Sequence, residues 1–334
     1  DGSTQSWEIV PLPMDDSYYL YCDYPLPEYY ALNPNDPSNG GNHNHKGFAV
    51  ESQNDSIIWV GTANGINKGI IDGNNCISWT HYTSNSHNIS GNWVIGFNVQ
   101  EIEENVVPRI WAITWSTNSS ESNGVSYSDN LGESWNTSHM VESIGLKVFN
   151  INSKNEKVYL ATNKGLYFSL DGEYWEKLSR PVEFDNEGNI VEEILSEAVY
   201  SVAETDDFLW VGTGDGLGKT NNLGLDWNTY RFFESPKNFY AYPNPFFTDL
   251  NNRVNNEGHV RFICNSEIIP NKILIYDYSM NLVNELNDFR NINNENEVIW
   301  NGRNSLNHVV ANGVYFCNLI YNDGNSWTKL LVIN

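Results

Sequence analysis

Along this chain the apolar residues come in short runs, broken by clusters of Gly, Asn, Ser and Asp, and none is spaced in the three-to-four rhythm of a helix face. The runs predict β-strands. One strand–turn–strand element recurs. It reads Ile57-Ile58-Trp59-Val60-Gly61-Thr62-Ala63-Asn64-Gly65-Ile66, then Arg109-Ile110-Trp111-Ala112-Ile113-Thr114, then Val158-Tyr159-Leu160-Ala161-Thr162-Asn163-Lys164-Gly165-Leu166, and last Leu209-Trp210-Val211-Gly212-Thr213-Gly214-Asp215-Gly216-Leu217. Its aromatic anchors, at 59, 111, 159 and 210, are 52, 48 and 51 residues apart.

A second element follows each copy. Ser128, Asn130, Gly132 and Trp135 mark the clearest one; Thr220, Asn222, Gly224 and Trp227 repeat its spacing; Ser169, Asp171, Gly172 and Trp175 form a version one residue shorter. Residues 72–79 and the start, 1–7, read as degenerate copies. The hydroxyl and Asx side chains bond local backbone N–H groups, Gly supplies a positive φ, and Trp packs the turn onto its sheet. Four-stranded units at a period of about fifty residues predict an all-β fold containing a β-propeller. About four blades are expected, near 47–83, 93–140, 147–180 and 198–233. Residues 1–10 would supply the outer strand of an earlier blade, and 11–46 a long insertion. The propeller, 1–234, is then read as truncated at its N-terminal side.

The turn element resembles the Asp-box (BNR) repeat, with Asn130 and Asn222 in the acidic position and only Asp171 keeping the acid. Trp-Val-Gly-Thr-x-x-Gly also resembles the propellers of two-component sensors. Asn bonds the turn backbone nearly as well as Asp, so these positions read as structural and not as metal ligands.

The repeat stops near Phe233, and 234–238 is a short linker. Strand signals at 260–264, 272–276, 298–300, 313–319 and 328–333 predict a small β-sandwich over 239–334, able to fold independently of the blades. Tyr242-Pro243-Asn244-Pro245-Phe246 resembles the opening of the C-terminal domains of type IX (Por) secretion substrates. The run from Ile275 to Val283 matches their hairpin, read with Asn281 in place of the usual Gly. Trp300-Asn301-Gly302 and Val310 to Phe316 are similar to the flagellar hook-capping-like Ig domain, and Thr328 to Ile333 to the closing basic-then-apolar strand. The resemblance implies export, with this domain as its address, and a secreted or outer-membrane-surface protein.

Charge narrows the partners. There are 18 Lys and Arg against 42 Asp and Glu, a net −24. Residues 1–239 hold −21 of it (12 basic, 33 acidic) and 240–334 hold −3 (6 basic, 9 acidic). Such a chain offers little to a phosphate backbone or an anionic membrane surface, so neither nucleic acid nor membrane is an expected partner. No run of 18 apolar residues exists to span a bilayer. The four cysteines lack metal-site spacing. Cys264 and Cys317 read as buried thiols, with a bridge between them as the alternative.

No catalytic, cofactor or metal residues are expected. Residues 212–220 are rich in Gly and end in Lys219-Thr220, but they lack Walker spacing and a following helix, and are assigned to a hairpin. His43-Asn44-His45 lacks a third ligand and reads as a solvated loop. Glu192-Glu193 and Asp206-Asp207 are adjacent on strands and point to opposite faces, so neither makes an acid–base dyad. Sialidases, which share the Asp-box propeller, clamp a carboxylate with clustered arginines; here 1–234 carries only Arg109, Arg180 and Arg231. The leading expectation is a propeller that binds a protein or glycan ligand, joined to a domain read by secretion machinery. The alternatives are a propeller glycoside hydrolase, needing only two placed acids, and a sensor ectodomain.

Overall fold

The computed structural model describes residues 9–72, 76–102, 107–231, 239–265, 267–292 and 295–334. The tail at 1–8, the linker at 234–238 and the centre of the degenerate turn at 72–79 lie outside them. The chain is nearly all β, laid out as a series of small antiparallel sheets in a propeller-like manner. It divides into two compact units, one running through Lys177 with Ser201–Glu204, the other made of Leu178–Tyr200 and Thr205–Asn334.

In the first unit, Gly47–Asn54, Ile57–Thr62, Gly65–Ile71 and Ile77–Tyr82 form a meander, and the two-residue strand Tyr19–Leu20 pairs with its last member. Trp93–Gln100, Arg109–Trp115, Gly124–Ser128 and Asn136–Thr137 form a second meander. Val148–Lys154, Lys157–Thr162, Gly165–Ser169 and Glu176–Lys177 form a third. In the second unit Leu209–Thr213, Leu217–Thr220 and Asn228–Tyr230 form a fourth meander in the same antiparallel order. Trp59, Trp111 and Tyr159 are fully buried, because the second strand of a meander is covered on both faces. Trp210 is only half-buried; Phe208 and Tyr230 flank its ring, and the Lys219 ammonium lies over it.

The turn residues behave alike in three places. Ser128 Oγ accepts from Gly132 N at 2.9 Å, Ser169 Oγ from Gly172 N at 2.8 Å, and Thr220 Oγ1 from Gly224 N at 3.1 Å. Asn130, Asp171 and Asn222 each take a backbone N–H through Oδ1, from Ser134, Tyr174 and Asp226. In the two longer turns Leu131 and Leu223 join the glycine at positive φ; in the shorter one Gly172 alone does so, at φ 85°. A Cβ on Gly172 would come within 2.4 Å of the Trp111 ring, so glycine is required by conformation and by space.

Trp135, Trp175 and Trp227 are all buried. Trp135 packs edge-on against Trp59, and Trp175 against Trp111, so these two turn tryptophans cover the strand tryptophan of the preceding meander. Trp175 Nε1 donates to Ser138 Oγ at 2.8 Å and Trp227 Nε1 to Ser179 Oγ at 2.9 Å. Both serines lie three or four residues past the previous turn tryptophan.

Two features of the long insertion were not foreseen. Cys22 and Cys76 form a disulfide that ties it to the first meander. His43–His45 is a 3₁₀ turn, not a solvated loop. Its Asn44 is fully buried, accepts from Thr62 Oγ1 and Asn67 Nδ2, and donates to the Pro13 carbonyl. Burial holds the His45 pKa below the ordinary histidine value.

In the second unit, the hairpin Val182–Phe184 and Ile190–Glu193 precedes the fourth meander. Beyond residue 239 two sheets face one another. One holds Tyr240–Tyr242, Val260–Asn265, Glu295–Trp300 and Arg290–Ile292; the other holds Phe246–Phe247, Gly324–Ile333, Gly313–Tyr321, Pro270–Tyr276 and Leu282–Leu286. Val260, Phe262, Ile273, Ile275, Trp300, Tyr315, Leu319 and Val332 fill the space between them. Cys264 and Cys317 are free and buried there, and burial raises both thiol pKa values, that of Cys264 to about 11. In the hairpin after Tyr276 the left-handed residue is Met280, at φ 63°, so Met280 and not Asn281 stands where a glycine would be easiest. Asn281 instead caps the turn, its N–H and side-chain amide both donating to Asp277.

Candidate functional site

The strand Val260–Asn265 is buried on both faces. Val260, Phe262 and Cys264 point into the apolar core, so Arg261 and Ile263 point the other way. Ile263 pairs with Glu297 across the sheet, which makes Arg261 and Glu297 diagonal neighbours on one face. Arg261 Nη1 lies 2.6 Å from Glu297, and its Nη2 reaches Asp215 at 2.6 Å and the Glu193 carbonyl at 2.8 Å. Arg290 contacts Glu193 and Glu297, Arg231 contacts Glu192 and Glu297, and Arg180 contacts Glu193. Four guanidiniums thus meet four carboxylates, and their formal charges cancel.

Burial raises the Glu192 pKa even beside Arg231. It also pushes Glu297 and Glu193 upward, but facing guanidiniums outweigh it and hold both below the ordinary range: Arg261 and Arg231 at Glu297, Arg290 and Arg180 at Glu193. A charge cluster so deep is tolerable only when every member is paired.

At its edge lies a cavity of about 330 Å³ lined by Glu183, Val191, Glu192, Asn228, Thr229, Tyr230 and Arg231. Glu183 and Glu192 are direct cross-strand partners in the hairpin, so their side chains share a face. Glu183 accepts from Thr229 N at 2.9 Å and Thr229 Oγ1 at 3.2 Å, while Glu192 lies 2.6 Å from Arg231 Nε. Carboxylate, amide and hydroxyl groups beside the half-exposed Tyr230 ring suit a small polyhydroxylated or amine-bearing ligand.

The arginines considered for a carboxylate clamp are all engaged. Arg109 is bidentate to Asp129, donates to the Asp171 carbonyl and lies over the Tyr127 ring at 4.3 Å. Arg180 and Arg231 belong to the buried cluster. Glu192 and Glu193, expected on opposite strand faces, both enter the buried cluster, Glu192 through Arg231 and Glu193 through Arg180 and Arg290. Glu192 also stands opposite Glu183, nine residues away, a pairing set by hairpin register that no adjacent-residue rule finds. Arg261 and Glu297 were also missed; for Arg261 a charge inside the apolar run Val260–Asn265 was the available signal, whereas Glu297 lies in the polar half of its strand and gave none.

No protein-family profile and no curated protein matches the chain. Among solved structures it is similar to PorZ, a surface component of the type IX secretion system of Porphyromonas gingivalis, at 15% identity and TM-score 0.39, covering 92% of this chain and 46% of that one. It is similar to the extracellular domain of BT4673 from B. thetaiotaomicron at 11% identity and TM-score 0.40, covering 86% and 44%. It is similar to an ancestral GH74 enzyme at 13% identity and TM-score 0.38, covering 85% and 31%. The chain spans less than half the length of each. Among the described residues no helix is long and apolar enough to cross a membrane.

Proposed function

We propose that this chain belongs to a secreted or surface-exposed bacterial protein. Its Asp-box-like blades, four in this reading, serve as a protein- or glycan-binding module, and residues 239–334, read as an Ig-like domain, direct export or anchoring. The observation that carries the export reading is the way the opening and closing motifs of residues 239–334 are joined. Asn244 Nδ2 donates to the Lys329 carbonyl at 2.8 Å, Asn244 Oδ1 accepts from Leu331 N at 3.0 Å, and Phe246–Phe247 pairs in parallel with Val332 and Ile333. Motifs more than eighty residues apart therefore present one continuous edge to a receptor.

Binding is favoured over glycoside hydrolysis because both carboxylates at the cavity are already engaged, Glu183 by Thr229 and Glu192 by Arg231. A hydrolytic acid pair needs one carboxyl at the scissile oxygen and the other at the sugar carbon or a water.

Two measurements test the reading. In the native host Asn244→Ala, which unties the opening motif from Lys329 and Leu331, should leave the protein folded but held in the periplasm; normal export of the folded variant overturns the export role. The whole chain on glycan and protein arrays should retain a ligand without turnover. Sustained cleavage of a glycan, abolished by Glu183→Gln, overturns the binding role.

A further inference from the structure

We propose that the tyrosine-rich face of residues 16–29 is a docking surface for a basic protein segment, whose Lys and Arg side chains seat over its exposed rings. The inference rests on the reading of the chain as a binding module and narrows the partner to a cationic polypeptide.

Tyr19, Tyr21 and Tyr24 are 57%, 50% and 71% exposed. Their rings form a row, Tyr19 to Tyr21 at 5.9 Å and nearly parallel, Tyr21 to Tyr24 at 5.9 Å and tilted. Tyr18 and Tyr29 nearby in the chain are exposed as well. Aromatic surface on this scale, presented to water, marks an interaction site.

The row is held in place. Tyr19 and Leu20 pair with Thr80 and Trp79, His81 N donates to the Tyr18 carbonyl at 2.8 Å, and the Cys22–Cys76 disulfide closes the segment between Tyr21 and Tyr24. Rings already ordered lose little freedom when a partner arrives.

Charge selects that partner. Residues 1–45 contain seven carboxylates and no Lys or Arg. Asp16, Asp23 and Glu28, which flank the rings, are exposed. At three other places the chain covers an aromatic face with its own cation: Arg109 over Tyr127, Lys147 over Trp115, Lys219 over Phe208. Among the described residues none lies over Tyr19, Tyr21 or Tyr24. Electron-rich rings edged by carboxylates attract a guanidinium or ammonium and repel an acidic partner.

The test titrates the whole chain with a fluorescent peptide alternating Arg and Gly, and with its counterpart carrying Gln for Arg. The variants are Tyr19→Ser/Tyr21→Ser/Tyr24→Ser, Asp16→Asn/Asp23→Asn/Glu28→Gln, and a control neutralising exposed carboxylates elsewhere, Glu176→Gln/Glu187→Gln/Asp207→Asn. The Arg peptide should bind more tightly than the Gln peptide and weaken with salt. The tyrosine variant should lose about tenfold in affinity, three exposed cation–ring contacts together, at unchanged melting temperature. The flanking-acid variant should lose more than the control. Equal losses in the control overturn the proposal as mere attraction to an acidic chain. Tyrosine-dependent binding of the Gln peptide or of neutral oligosaccharides, without charge dependence, overturns the cationic partner and leaves the binding-module reading standing.

Discussion

Arg261 Nη2 lies 2.6 Å from Asp215 Oδ2, across 46 residues of sequence, with neither side chain open to solvent. Asp215 belongs to the hairpin turn between Leu209–Thr213 and Leu217–Thr220, and its Oδ2 also accepts from Leu195 N. Arg261 belongs to a strand beyond the linker. Removing the guanidinium would leave Asp215 without a counter-charge in a site closed to water, while Glu297 would keep Arg231 and Arg290 but lose its shortest pairing. Arg261→Ala should therefore cost about 3–5 kcal/mol, read by denaturant unfolding of the whole chain. A loss under about 1 kcal/mol would place the cluster in water.

The same cluster sets an acid limit. Glu297 and Glu193 are held below the ordinary glutamate value of 4.5 in the folded chain. The folded state then binds fewer protons than the unfolded state as pH approaches that value. Their contribution is complete above 4.5 and is lost as pH falls through the folded values. The melting temperature should be flat near neutral pH and fall on the acid side, and in Glu297→Gln that fall should be shallower from a lower plateau. An unchanged acid slope in the variant would remove Glu297 as its source.

The turn tryptophans allow a graded comparison. Trp175→Ala should cost about 3–5 kcal/mol, as for other large buried aromatics, and Ser138→Ala, after which the indole N–H keeps only the Gly172 carbonyl as acceptor, no more than about 1 kcal/mol. Asp171→Asn should change stability by less than about 0.5 kcal/mol, because Asn130 and Asn222 perform the same bonding in sister turns. A large loss in Asp171→Asn, measured by thermal unfolding, would point to a role for the charge itself.

The Cys22–Cys76 bridge closes a loop of 54 residues. Replacing both with Ser should lower stability by about 2–5 kcal/mol. It should also free residues 16–29, seen as faster amide exchange at Tyr19 and Leu20. Unaltered exchange there would mean that the pairing to Ile77–Tyr82 holds the segment alone.

Met280 offers a gain. A non-glycine residue at φ 63° carries a Cβ clash that glycine avoids. Met280→Gly should stabilise the chain by about 1 kcal/mol, since the Met280 side chain is exposed and has little packing to lose. A loss would show that the side chain has a contact worth more than the backbone relief.

The class of fold was legible in the sequence because strands and turns are local. Alternating Trp, Val and Ile, followed by a hydroxyl–Asx–Gly–Trp turn, specify hairpins through the chain's own nearest neighbours. Burial of Trp135, Trp175 and Trp227 follows from the same short-range pattern, as does the left-handed glycine beside each. What only the tertiary structure decided is everything that depends on which distant strands meet. Nothing near Cys22 names Cys76 as its partner, and Asn44 looked solvated until Thr62, Asn67 and Pro13 closed around it. Glu183 faces Glu192 only through the register of a hairpin. Arg261 finds Asp215 only because the second face of its strand is covered. A charge can be buried in that place because its counter-charges arrive from residues 36 and 46 positions away, a proximity that is created by folding and written in no local motif.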